Sequence, residues 1–181
     1  MIQSKTHRLV RLLVQRKINF LMLVIIAMSV FTGQQALASP DETCIPVQAK
    51  INTLFNVAGC TSPVGLCTAG QITDGGILNG KTRFTALSIA AAAGMTGIES
   101  DSTLSYHGVL EIITQDGVLY IRDVGVFDQV VRVYSEVDRI TAGIGRFENA
   151  SGTLFIYGNA FEDGSGFDGE VRGQICLMPA V

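Results

Sequence analysis

The chain has 181 residues, 20 of them Gly, with a hydrophobic share of 48 % and a formal charge of −3. At roughly 150 residues per domain this is one domain, too short for a TIM barrel of roughly 250 residues or for a two-domain nucleotide-binding enzyme. Residues 1–38 carry five bases and no acid, leaving eight bases against sixteen acids in the remainder; so acidic a body repels phosphate backbones and disfavours nucleic acid as a partner.

The N-terminus reads as an address. Lys5, Arg8, Arg11, Arg16 and Lys17 precede an apolar run from Ile18 to Phe31, and Ala36-Leu37-Ala38 follows with small residues at both cleavage-site positions. Basic, apolar and small-residue regions in that order make a signal peptide. The apolar run, about 14 residues, is shorter than the roughly 20 that span a bilayer, so an uncleaved anchor is the weaker alternative. Residues 1–38 are expected to be removed, and residues 39–181 to be secreted or periplasmic with no membrane attachment.

Cys44, Cys60, Cys67 and Cys176 all lie beyond that segment. An even count in an exported chain argues for two disulfides, with three connectivities open. Cys60 and Cys67 bracket a turn-rich Thr61-Ser62-Pro63-Val64-Gly65-Leu66 loop that can bring them together. The other pair would then tie the N-terminal segment to the last strand, but spacing alone does not choose. With no Cys-x-x-Cys and only His107 left after cleavage, a zinc site is not expected, and nothing else calls for a cofactor.

From Val47 onward, β-rich runs alternate with Gly, Asp and Asn punctuation at about 47–58, 66–73, 81–91, 103–115, 118–127, 129–142, 152–158 and 169–177. Eight short strands predict an all-β domain, a single eight-stranded antiparallel β-barrel of calycin-like type, with a sandwich as the alternative. Ala90 to Ala93 reads as at most one helical turn, cut short by Gly94 and Gly97.

Asp116-Gly117 stands between two alternating runs and predicts a two-residue type I′ hairpin turn. Folding about it pairs Gln115 with Val118, Ile113 with Tyr120, Glu111 with Arg122, and Val109 with Val124, all on one face. The other face carries Leu110, Ile112, Leu119, Ile121 and Asp123. Both faces are largely apolar, whereas a sheet with one wet side is apolar on one face only. One face is therefore expected to line the lumen and the other to be covered by a second copy of the chain.

The Glu111–Arg122 pair is the most specific polar feature of the hairpin and supplies the candidate catalytic residues. In apolar surroundings a paired acid and arginine stay ionised and can orient a ligand carbonyl or carboxylate; the alternative is a clamp between strands on the outer face. His107 shares their face. Arg132, Tyr134 and Glu136 repeat the mixture on the next strand, so His107, Tyr120, Arg132, Tyr134 and Glu136 are the candidate ligand-lining residues, suited to acid–base help with proton transfer. Gly164 to Gly169 matches G-x-G-x-x-G but precedes no helix, so it reads as a hairpin loop. The acids around it lack the alternating ligand pattern of a calcium loop, because Phe167 interrupts them. No metal is expected there.

Gly143-Ile144-Gly145-Arg146-Phe147, two residues, then Ala150-Ser151-Gly152-Thr153-Leu154 resembles the segment leading into a late strand of the allene oxide cyclase/dirigent barrel superfamily. Gly169 to Ile175 resembles the closing strand of such barrels, and Cys60 to Thr68 is similar to the early loop of secreted bacterial relatives. These motifs are structural: Gly143 and Gly145 permit a bulge or close strand approach, and Phe147 can plug a barrel end. The resemblance implies an eight-stranded barrel, commonly trimeric, whose apolar lumen guides cyclisation or coupling of lipid-like or phenolic molecules. It carries no catalytic signature onto numbered positions here. The expectation is a secreted barrel that holds a small apolar molecule, either as an isomerase-like enzyme acting by confinement or as a non-enzymatic carrier or surface protein.

Overall fold

The computed structural model describes residues 42–92 and 102–179; residues 1–38, expected from sequence to be a signal peptide, and Ala93 to Gly97 lie outside them. Eight strands, β1 (Thr43–Phe55), β2 (Cys67–Thr73), β3 (Gly80–Ala91), β4 (Thr103–Thr114), β5 (Gly117–Asp128), β6 (Val133–Gly145), β7 (Ser151–Ala160) and β8 (Gly166–Leu177), form a closed barrel. Each strand pairs antiparallel with the next, and β8 returns to β1, so no backbone edge is left open. Ala90 and Ala91 belong to β3 rather than to a helical turn.

Alternation assigns the faces. Val47, Ala49 and Ile51 of β1, Leu110 and Ile112 of β4, Leu119 and Ile121 of β5, Leu154 and Ile156 of β7, and Val171 and Ile175 of β8 pack one continuous core inside the barrel. Leu78 and Phe147, from loops at one end, are fully buried in that core and close it. Phe147 reaches it because the chain doubles back tightly: a side chain at Gly143 would lie 2.1 Å from the Phe147 carbonyl oxygen. Gly145, at φ +68, supplies the left-handed residue that starts the reversal.

The β4–β5 hairpin differs from expectation by two residues. Ile113 pairs with Val118, Glu111 with Tyr120 and Val109 with Arg122, so the turn is Gln115-Asp116 rather than Asp116-Gly117. Thr114 holds it: its hydroxyl accepts the Asp116 N–H and donates to the Gly117 carbonyl, both at 3.1 Å. Gly117 serves the neighbouring strand instead, since a Cβ there would meet the Ile144 carbonyl oxygen at 2.1 Å. A slip of two preserves alternation, so the two faces keep their residues, but Glu111 and Arg122 are no longer directly opposed.

Both disulfides form. Cys44 bonds Cys176, its direct cross-strand partner on the β1–β8 seam, and Cys60 bonds Cys67 across the β1–β2 loop. They are compatible with an oxidising, extracytoplasmic location. Among the described residues no helix is long and apolar enough to cross a membrane.

Candidate functional site

At the end opposite Phe147 the lumen opens into a cavity of about 90 Å³. A water needs roughly 10–15 Å³ on this measure, so the space takes several waters or a small organic group. Phe84, Tyr106, Phe127, Tyr134 and Phe167 supply its aromatic wall, with Thr53, Thr68, Asp123 and Glu136 as polar groups. Phe167 is the hub of the rings, in edge contacts with Phe55, Phe127 and Tyr134 at centroid distances of 5.3–5.7 Å.

Glycines make room for these rings. Tyr106, Gly125 and Glu136 occupy one row across β4, β5 and β6. A Cβ on Gly125 would stand 2.5 Å from the Tyr106 ring, so only glycine lets the tyrosine lie across β5. Its hydroxyl then donates to Glu136 Oε1 at 2.6 Å, a short bond of the charge-assisted kind when the acid is ionised. Tyr134 shares a row with Gly158 and Gly169 and repeats the device at Gly169, where a Cβ would stand 2.5 Å from its hydroxyl oxygen, and Phe84 lies against Gly108.

One step deeper, Asp123 and Asp138 face each other as direct partners on β5 and β6. Asp123 is 2 % exposed and accepts the Gly108 N–H, but its Oδ1 has no partner; Asp138 is fully buried and neither of its oxygens has one. Burial lifts Asp123 to about 7, against weaker pulls from Gly108 and Arg122, and lifts Glu136 to about 8, against the Tyr106 hydrogen bond. Burial, then the nearby Glu136 and Asp123 charges, pushes Asp138 well above the usual carboxylate range. Tyr106 and Tyr134 are driven up by burial and by the Glu136 charge, so both remain neutral hydroxyls. The lumen therefore holds carboxyl groups that exchange protons near neutral pH, a poise suited to proton donation or to charge recognition.

The candidates read from sequence divide between the two sides of the wall. Tyr134 and Glu136 line the cavity. Glu111, Arg122, His107 and Tyr120 sit on the outer face, because the odd positions of β4 and the even positions of β5 alternate away from the buried Leu110, Ile112, Leu119 and Ile121. The expectation of a Glu111–Arg122 pair in a pocket is thus corrected. Arg132 precedes β6 in the β5–β6 turn, with φ +58, and donates from Nη1 to the Glu162 carbonyl at 3.0 Å. The lining residues Phe84, Tyr106, Asp123, Phe127 and Phe167, and the buried Asp138 beside them, are not among the sequence candidates. Asp123 and Asp138 had a legible signal, each an acid on the same strand face as an isoleucine two residues away, Ile121 and Ile140. Gly164 to Gly169 is the β7–β8 hairpin loop and the start of β8.

In comparison with protein-family models, curated proteins and solved structures, the chain matches none.

Proposed function

We propose that this is an exported barrel protein that binds a small, mostly apolar molecule in its lumen and guides a proton-dependent rearrangement of it, as an allene-oxide-cyclase-like or dirigent-like protein would. The observation that carries the reading is the aromatic cavity with Glu136 on its wall. Aromatic rings recognise apolar and phenolic bodies, and an acid poised near neutral pH is matched to giving or taking a proton there. Confinement would set the conformer that reacts. The carrier reading keeps the cavity and assigns the carboxyls to recognition alone. Native mass spectrometry of protein purified from its source is expected to show a retained small molecule that denaturation releases. A bare polypeptide mass, with no thermal shift from lipid-like or phenolic compounds, contradicts lumen binding.

We also propose that the barrel assembles with copies of itself, as a trimer. Val124, Val137 and Phe155 form one row across β5, β6 and β7 on the outer face, each at least half exposed. The hairpin contributes less than its sequence suggests, because Val109, Ile113 and Tyr120 are partly buried and Ile121 faces inward. Beside the row, Arg122 and Arg139 are direct cross-strand partners. Like charges in that position are unfavourable unless an acid from elsewhere meets them. Light scattering is expected to give about three chain masses for the native protein and one for Val137→Glu. A monomeric native mass at micromolar concentration refutes the assembly.

A further inference from the structure

The lumen carboxyls have no cation facing them. Tyr106 projects inward from β4, Asp123 from β5, and Tyr134, Glu136 and Asp138 from β6; among the described residues the inward positions of β1, β2, β3, β7 and β8 carry no ionisable side chain. Arg122 and Arg139, next in sequence to Asp123 and Asp138, alternate to the outer face and are exposed. Three carboxylate oxygens, Asp123 Oδ1 and both of Asp138, are buried with no hydrogen-bond donor. Leaving such an acceptor unpaired is costly; Asp123 lines the cavity, so its Oδ1 is open to a positively charged donor held there.

We propose that the lumen selects an organic cation, an ammonium group seated against Asp123 and Glu136 with its apolar body among Phe84, Tyr106, Phe127, Tyr134 and Phe167. The inference rests on the reading of the lumen as a binding cavity and names the chemistry of what enters it. The rings add cation–π attraction to the carboxylate charge, an arrangement that favours an alkyl or aryl-alkyl ammonium over a neutral isostere. A metal ion fits less well. The only set of three donor side chains converging within 4.8 Å among the described residues is Glu42, Cys44 and Cys176, where both cysteines are in a disulfide. Among the described residues the lumen carboxyls form no such set. An anionic ligand would meet two acids, Asp123 and Glu136, and no base.

Three probes of one skeleton test this: 2-phenylethylammonium, 2-phenylethanol and phenylacetate, titrated calorimetrically into the intact disulfide-bonded protein. At pH 8.5 the ammonium is expected to bind at least tenfold more tightly than the alcohol, with phenylacetate weakest. At pH 5.5 that advantage is expected to vanish, because Asp123 and Glu136 are then protonated, while an alkyl ammonium, with a pKa near the ~10.4 of lysine, keeps its charge. Glu136→Gln is expected to cut ammonium affinity about tenfold and so to erase most of its advantage over the alcohol. Equal or tighter binding of the alcohol at pH 8.5 overturns the cation preference and leaves the cavity reading standing. If none of the three binds, the cavity reading itself falls.

Discussion

Cys176→Ser is expected to lower the unfolding free energy by about 5 kcal/mol, and Cys67→Ser by only about 2 kcal/mol. The difference follows from loop closure. The Cys44–Cys176 bond spans 132 residues and the Cys60–Cys67 bond spans 7. In the chain-entropy account, cross-linking the longer loop removes far more freedom from the unfolded state, about 5 against about 2 kcal/mol. Position adds to this. Cys44 and Cys176 face each other on β1 and β8, the seam where first and last strands meet, so reduction unties the pairing that is slowest to form by chance. Urea unfolding of the two variants, with the native protein as reference, measures it. Equal midpoints for both, or a larger loss for Cys67→Ser, would show that native contacts along the seam already hold the barrel shut.

Stability is expected to fall as pH rises from about 4 to about 8. Asp123 has an ordinary value of 3.8 and sits at about 7 in the folded protein; Glu136 moves from 4.5 to about 8, and Asp138 moves in the same direction. Below pH 4 these groups are protonated in both states and do not affect the balance. Between the two values the unfolded chain releases protons that the folded one retains, so each increment of pH favours unfolding. Above about 8 both states are ionised and the loss levels off. For Asp123 alone the displacement corresponds to about 4 kcal/mol, at about 1.4 kcal/mol per pH unit; Glu136, which opens onto the cavity, contributes less. Surface acids Asp128, Asp163 and Glu170 are held below their ordinary values by hydrogen bonds, so their contribution has the opposite sign and is lost toward acid pH. Urea midpoints at pH 5, 6.5 and 8 are expected to decrease in that order, and Asp138→Asn is expected to flatten the trend. A native midpoint that holds steady or rises over this range contradicts the burial of these acids. If an ammonium ligand fills the cavity, its presence is expected to restore stability most at the alkaline end, where the carboxylates are charged.

The lumen carboxyls show where one-dimensional reading stops. Alternation placed Tyr134 and Glu136 together on one strand face, and both do reach the cavity. The same rule placed Glu111 and Arg122 on a common face of the hairpin, and they do share one. Nothing local says which face is inside. Both faces are rich in apolar residues, and the difference between lumen and exterior arises only when eight strands close and one side loses its water. Asp123 was visible as an acid in an otherwise apolar row; that Asp138 faces it became visible only once β5 and β6 were paired.

Strand number, antiparallel order, the cysteine inventory and the acidic body were fixed by period-two patterning, turn residues and composition, which act over a few residues and survive in the sequence unaided. The register of the β4–β5 turn was decided elsewhere. Asp116-Gly117 has the local chemistry of a type I′ turn, yet its Gly is consumed by close approach to Ile144, and the Asp116 carbonyl accepts the Arg146 N–H at 2.9 Å. Those contacts come from a segment about 30 residues away, and they outweigh the local preference of Asp-Gly for a type I′ turn. The site has the same origin. Tyr106 reaches Glu136 because Gly125, on the strand between them, has no side chain. Three residues from three strands define that contact, and only the closed barrel brings them into one row.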